Sequence, residues 1–113
     1  MPNARQRFGA DAERRVRRHF RLRGYRVLAA NVWAGGHELD LVLRRGSRLV
    51  FCEVKARAGD DFDAREAVGP EKRRRLECAV ESWLAARPEL AELEVSLEVA
   101  AVRGGRIERL ALA

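Results

Sequence analysis

Two hydrophobic runs broken only by charge constrain this chain most: Glu38-Leu39-Asp40-Leu41-Val42-Leu43 and Leu49-Val50-Phe51-Cys52-Glu53-Val54-Lys55, separated by Arg44-Arg45-Gly46-Ser47-Arg48. Both read as buried β-strand, and side chains alternate along a strand. Glu38 and Asp40 are therefore expected on one face, and Glu53 and Lys55 on one face of the next strand. A hairpin with Gly46-Ser47 as its two-residue loop sets Asp40 opposite Glu53 and Glu38 opposite Lys55. A loop of four residues keeps that register, whereas one of three sets Asp40 against Cys52.

In the first two registers the paired carboxylates stand roughly 5 Å apart at their β-carbons, where like charges on a half-buried sheet repel. A divalent cation relieves that repulsion. Mg²⁺ takes oxygen ligands, typically one or two carboxylates, and keeps several waters. Lys55, one pleat from Glu53, would then orient water or stabilise charge on a phosphate. The plainer reading is an edge hairpin with a Glu53 to Arg ion pair and Lys55 in solvent. The cost of burying unpaired charge between hydrophobic neighbours favours the metal site.

The rest of the chain reads as α-β-β-β-α-β-β. From Ala4 to Arg23 the apolar residues Phe8, Ala12, Val16 and Phe20 recur every four positions and mark one helix face, with Glu13 at its edge. Gly24 caps that helix, Tyr25 to Ala30 forms a strand, and Asn31 to His37, with Gly35-Gly36, reads as a loop. Trp33 in that loop is either a core plug or an exposed platform for a base. His37 reads as a surface or phosphate-contacting residue rather than a base. A polar stretch from Ala58 to Val68 leads to Gly69-Pro70. Leu76, Ala79, Val80, Trp83 and Leu84 then give the face of a second helix, which Pro88 stops. Lys72 falls on the inward side of its first turn, where free N–H groups suit a phosphate. Strands at Val95 to Val102 and Ile107 to Leu112 complete a mixed α/β sheet flanked by helices.

With 113 residues, 47% hydrophobic and 35% charged, the chain is expected to form a single domain (1–113) with one core. No apolar run approaches the ~20 residues of a membrane span, and no signal segment opens the chain, so a cytoplasmic location is expected. Cys52 and Cys78 make no ligand spacing and read as reduced thiols, Cys52 in the core. A net charge of +6 and a pI near 10.5 point to a polyanionic partner. The positive charge clusters at Arg14, Arg15, Arg17, Arg18, Arg21 and Arg23 and again at Lys72 to Arg75. Only Lys55 and Lys72 among the 23 basic residues are lysines. In a chain whose default cation is arginine, this suggests a need for a compact ammonium at those two positions.

The Glu38-Leu39-Asp40-Leu41 block followed by Phe51-Cys52-Glu53-Val54-Lys55-Ala56-Arg57 resembles the PD-(D/E)xK nuclease superfamily with its restriction-endonuclease-like fold. More closely, the chain resembles the YraN-like family of small predicted bacterial endonucleases, related at superfamily level to Holliday-junction resolvases. Gly9, Glu13, Gly24-Tyr25, Asn31, Ala67-Val68 and Lys72 extend the likeness nearly end to end. His37 where a glycine is usual, Ala12 before Glu13, and Leu97-Glu98-Val99 in place of Phe-Asp-Val depart from the pattern.

The resemblance implies a metal-dependent endonuclease that hydrolyses phosphodiester bonds in DNA, branched or processed DNA included. Mg²⁺ or Mn²⁺ would be held by Asp40, Glu53 and Glu38. Asp40, Glu53, Lys55 and Glu13 would be the catalytic groups, and Lys72, Arg57 and Arg73 the DNA contacts, with a homodimer left open. The rival is a non-catalytic nucleic-acid-binding module of the same fold working within a DNA-processing complex.

Overall fold

In the computed structural model the described residues are 4–56 and 68–112, with backbone alone for residues 4–8. The order is as expected: α1 (Ala4–Arg21), β1 (Arg26–Ala34), β2 (His37–Arg45), β3 (Arg48–Lys55), α2 (Pro70–Ala85), a 3₁₀ turn (Pro88–Leu90), β4 (Glu94–Arg103) and β5 (Arg106–Ala111). The strands form one mixed sheet in sequential order, antiparallel except for the β3–β4 pair, which α2 connects. Among the described residues no helix is long and apolar enough to cross a membrane.

Each sheet face buries one helix. Ala12, Val16 and Phe20 of α1 pack on Leu41, Leu43, Val50, Cys52, Ala100 and Val102. On the other face Leu76, Ala79, Val80 and Trp83 of α2 pack on Leu39, Val42, Leu49, Phe51 and Val99. The four-residue stripe read from the sequence is the buried face of α1, apart from Phe8, whose side chain lies outside those described. At the end of α1, Gly24 adopts φ +87° and Tyr25 N–H bonds back to the Phe20 carbonyl at 3.0 Å, the closure that a left-handed cap makes possible.

Two expectations need correction. The segment from Asn31 to Ala34 is not a loop but the second half of β1, pairing Val32 with Leu39, Trp33 with Glu38 and Ala34 with His37. The reversal is compressed into Gly35-Gly36, with φ of +57° and +79°, the backbone of a tight hairpin turn that glycine enters without strain. Asn31 looked like a loop residue because it is one locally: it takes a left-handed φ of +52° inside the strand, which asparagine tolerates.

The second correction concerns faces. The β2–β3 hairpin has the two-residue loop, closing at Arg45↔Arg48 with Gly46 at φ +59°, but its ladder ends at Leu41↔Cys52. Strict alternation would send Leu39 and Leu41 into the same core, yet Leu39 joins the α2 side and Leu41 the α1 side. Val32 and Ala30 divide in the same way across Asn31. Both strands change face at one level, so the expected alternation breaks at Asp40; Glu38 pairs with Trp33 on the β1 side, and on the β3 side the ladder stops short of the expected Glu38 to Lys55 pair.

Candidate functional site

The site forms where β2 and β3 part. Beyond the last ladder pair, Asp40 turns its carboxylate along the sheet, and Oδ2 accepts the Val54 N–H at 2.9 Å. The bond supplies a partner for a strand amide that the ladder leaves unpaired. On β3, Phe51 and Leu49 face α2, and Glu53, two residues on, follows them to that side, only 8% exposed. There Lys72, one turn before Leu76 on α2, brings Nζ to 3.4 Å from Glu53 Oε1. The sequence expectation that Lys72 turns inward holds, but its contact is a carboxylate.

These charges shape one another. Burial first, and the nearby Asp40 charge second, push the Glu53 carboxyl up to about 7, against the pull of Lys72 and Lys55. Burial also raises Asp40, opposed by the Val54 N–H and by both lysines. Lys55 is drawn below the ordinary lysine value by burial and then by the neighbouring Lys72. Two carboxylates and two ammonium groups thus share a half-buried space, and burial works against the charged forms of Asp40, Glu53 and Lys55. Such a cluster can receive a hard cation, present ammonium groups to a phosphate, and exchange a proton near neutral pH.

Glu13 reaches this space from α1. Its Oε1 accepts the Asn31 Nδ2–H at 2.8 Å, and burial raises its pKa, with Asp40 and Glu38 adding repulsion. Asn31 is the contributor that a reading of side-chain chemistry missed. Its place among the residues that extend the family resemblance was the sequence signal that could have marked it.

The remaining site candidates divide. Glu38 is exposed at the rim. Arg73 is occupied within the fold, its Nε 3.0 Å from Glu77 and its Nη2 3.5 Å from the Leu112 carbonyl. Arg57 lies outside the described residues. His37 opens β2 half-buried and acts on Asp40 only through its field. Glu98 stands on the opposite face from Glu53, in a two-point ion pair with Arg109 at 2.7 and 3.0 Å. Arg109 in turn lies over the Phe20 ring at 4.3 Å and ties β4 and β5 to α1. Among the described residues no group of three or more His, Cys, Asp or Glu side chains converges as a ready-made metal cage.

The family model of the uncharacterised protein family UPF0102 matches residues 12–108, a span that runs from the middle of α1 into β5. A UPF0102 protein of Gloeobacter violaceus is 46% identical over 100 residues, covering 87% of this chain and 79% of the relative. One from Bradyrhizobium diazoefficiens is 39% identical over 107 residues, 95% of this chain and 80% of its own. Another, from Xanthomonas campestris, is 42% identical over 105 residues, 92% and 86% of the two chains.

Proposed function

Starting from a chain that belongs to the uncharacterised protein family UPF0102, we propose a divalent-metal-dependent endonuclease that hydrolyses DNA phosphodiester bonds, with Asp40, Glu53 and Lys55 at its centre. The observation that carries this reading is the gathering of Asp40 and Glu53 beside Lys55 and Lys72 at the open end of the β2–β3 hairpin. The donor set fits Mg²⁺ or Mn²⁺, because such ions accept one or two carboxylates and complete their shell with water and substrate phosphate. Bound there, the ion would polarise a phosphoryl oxygen and acidify a water. Asp40 and Glu53 would hold it, and Glu13, aimed by Asn31, would serve as an outer carboxylate.

The protein's own groups do the rest. The Asp40 to Val54 hydrogen bond holds one carboxylate oxygen fixed and leaves the other to bind. Lys55, a compact ammonium with a lowered pKa, offers charge or a proton to the reacting phosphate. Lys72 neutralises Glu53 while the site is empty of substrate and supplies a second cation for phosphate oxygens when one arrives. That same ion pair favours the second reading, a nucleic-acid-binding module without turnover, because it balances Glu53 without any metal.

Cleavage of end-labelled single-stranded and duplex DNA with Mn²⁺, alongside binding by fluorescence anisotropy, separates the two. Wild-type protein is expected to cut. Asp40→Asn should bind without cutting, and Lys55→Arg should keep affinity while losing turnover, since the charge stays but the ammonium does not. DNA binding with no metal-dependent cleavage by wild type would establish the binding module instead.

A further inference from the structure

Trp33 is one of three strongly exposed large hydrophobic side chains among the described residues, at 73%, and it stands beside the candidate site. It faces Glu38 across the β1–β2 ladder and lies two residues from Asn31, which holds Glu13. Its neighbours in the strand, Val32 and Ala34, both pack into the α2-side core. The indole between them therefore points to the other side, toward the Glu13 rim of the site.

The mounting is firm. Immediately after Ala34 the chain turns at Gly35-Gly36, and Gly35 is pressed against α2 so closely that a β-carbon there would meet the Cys78 carbonyl oxygen at 3.0 Å and the Ala79 Cα at 3.2 Å. A hairpin tip seated on a helix fixes the backbone that carries the indole, so that ordering the chain itself costs little on binding. The other two exposed hydrophobics, Leu22 and Val95, belong to the segment after α1 and to β4, so Trp33 is a single ring edged by charge rather than part of a broad apolar patch of the kind that docks proteins.

The charge beside it narrows the ligand. Glu38 is exposed and next to the ring, and Glu13 lies close by, so a phosphate is repelled there. A neutral aromatic group bearing N–H donors is complementary: its face stacks on the indole and its amine can donate to the carboxylate. We propose that Trp33 is a stacking platform for an unpaired nucleobase, so that the strand engaged at the site is single-stranded beside the bound phosphate. This rests on the DNA-directed reading of the site and specifies its substrate. Within a duplex the bases are stacked on one another, and only the two end pairs present a free face.

The test uses fluorescein-labelled oligo-dC of about twelve nucleotides, within the span such strands occupy on binding proteins, the same oligomer with abasic residues, and a blunt duplex, all in Ca²⁺. Wild-type protein is expected to prefer the dC strand over its abasic counterpart by roughly tenfold or more, the usual worth of base stacking. Trp33→Ala should erase that gap and Trp33→Phe keep most of it. Unlabelled dC should quench tryptophan emission in the wild type but not in Trp33→Phe, whose remaining indole, Trp83, is 5% exposed in the core. Equal binding of dC and abasic strands by wild type, or an undiminished gap in Trp33→Ala, would overturn the platform and leave the site reading standing. Wild-type protein that binds none of the three DNAs would overturn both. Stacking with no Mn²⁺-dependent cleavage would keep the platform and remove the hydrolase.

Discussion

Glu53 governs the charge balance of the site and gives the residue scale its sharpest test. Its carboxyl titrates near 7 in the folded protein against an ordinary value of 4.5, so the native state binds this proton more tightly than the unfolded chain. The stability linked to it is whole below about pH 4.5 and is lost as pH rises to about 7. Asp40, also raised, acts with the same sign. Metal-free Glu53→Gln should therefore melt close to wild type at the acid end and progressively above it toward pH 8, with the difference levelling off past neutrality. Thermal melts in EDTA across that range read this directly. Mn²⁺ titrated by calorimetry near pH 6 in buffers of different ionisation enthalpy should release a proton from wild type, because the metal requires the ionised carboxylate, and Glu53→Gln should take up little metal.

Among the elements, the β1–β2 hairpin and the β4–β5 pair carry the tightest constraints. Gly35 and Gly36 both have positive φ, but a β-carbon meets backbone of α2 only at Gly35. Gly36→Ala is expected to cost about 1–2 kcal/mol, the left-handed penalty alone. Gly35→Ala should cost more, because the hairpin must also lift from the helix. Urea denaturation of the two variants gives the comparison. In the second pair, Glu98 is 6% exposed and satisfied by Arg109. Arg109→Met strands a buried carboxylate and should destabilise by roughly 3–5 kcal/mol, whereas the double variant with Glu98→Met should recover most of the loss. A double variant as unstable as Arg109→Met would mean that Arg109 works mainly through its contact with Phe20.

At the scale of the molecule, charge and shape are divided between surface and site. Arginines supply most of the net charge of +6, while both lysines meet at the cluster between β3 and α2. The proposed DNA affinity should fall linearly with salt on a double-logarithmic plot, with a slope of about −0.7 for each phosphate neutralised on a single strand and about −0.9 on a duplex. Because Lys72 is already paired with Glu53, Lys72→Ala should change that slope less than loss of an unpaired phosphate contact would, and should lower metal-free stability instead. Anisotropy titrations over a salt series and melts without metal measure the two effects.

Local rules acted locally, and they were legible. Apolar spacing marked the buried faces of both helices, Gly24 marked the end of α1, and Gly46-Ser47 set the β2–β3 register; these depend on contacts within a few residues or across one turn. The nearness of Asp40 to Glu53 was legible for the same reason, since it follows from the β2–β3 register. Tertiary packing decided the rest. The change of face at Asn31 and Asp40, the Asn31 to Glu13 bond, the seat of Lys72 on Glu53, the Glu98 to Arg109 pair and the exposure of Trp33 all depend on how elements far apart in the chain meet. Strand and helix periodicity assigns a residue to a side of its own element. Only the docking of α1 and α2 on the two faces of the sheet determines which charge stands opposite it, as Lys72 of α2 stands opposite Glu53.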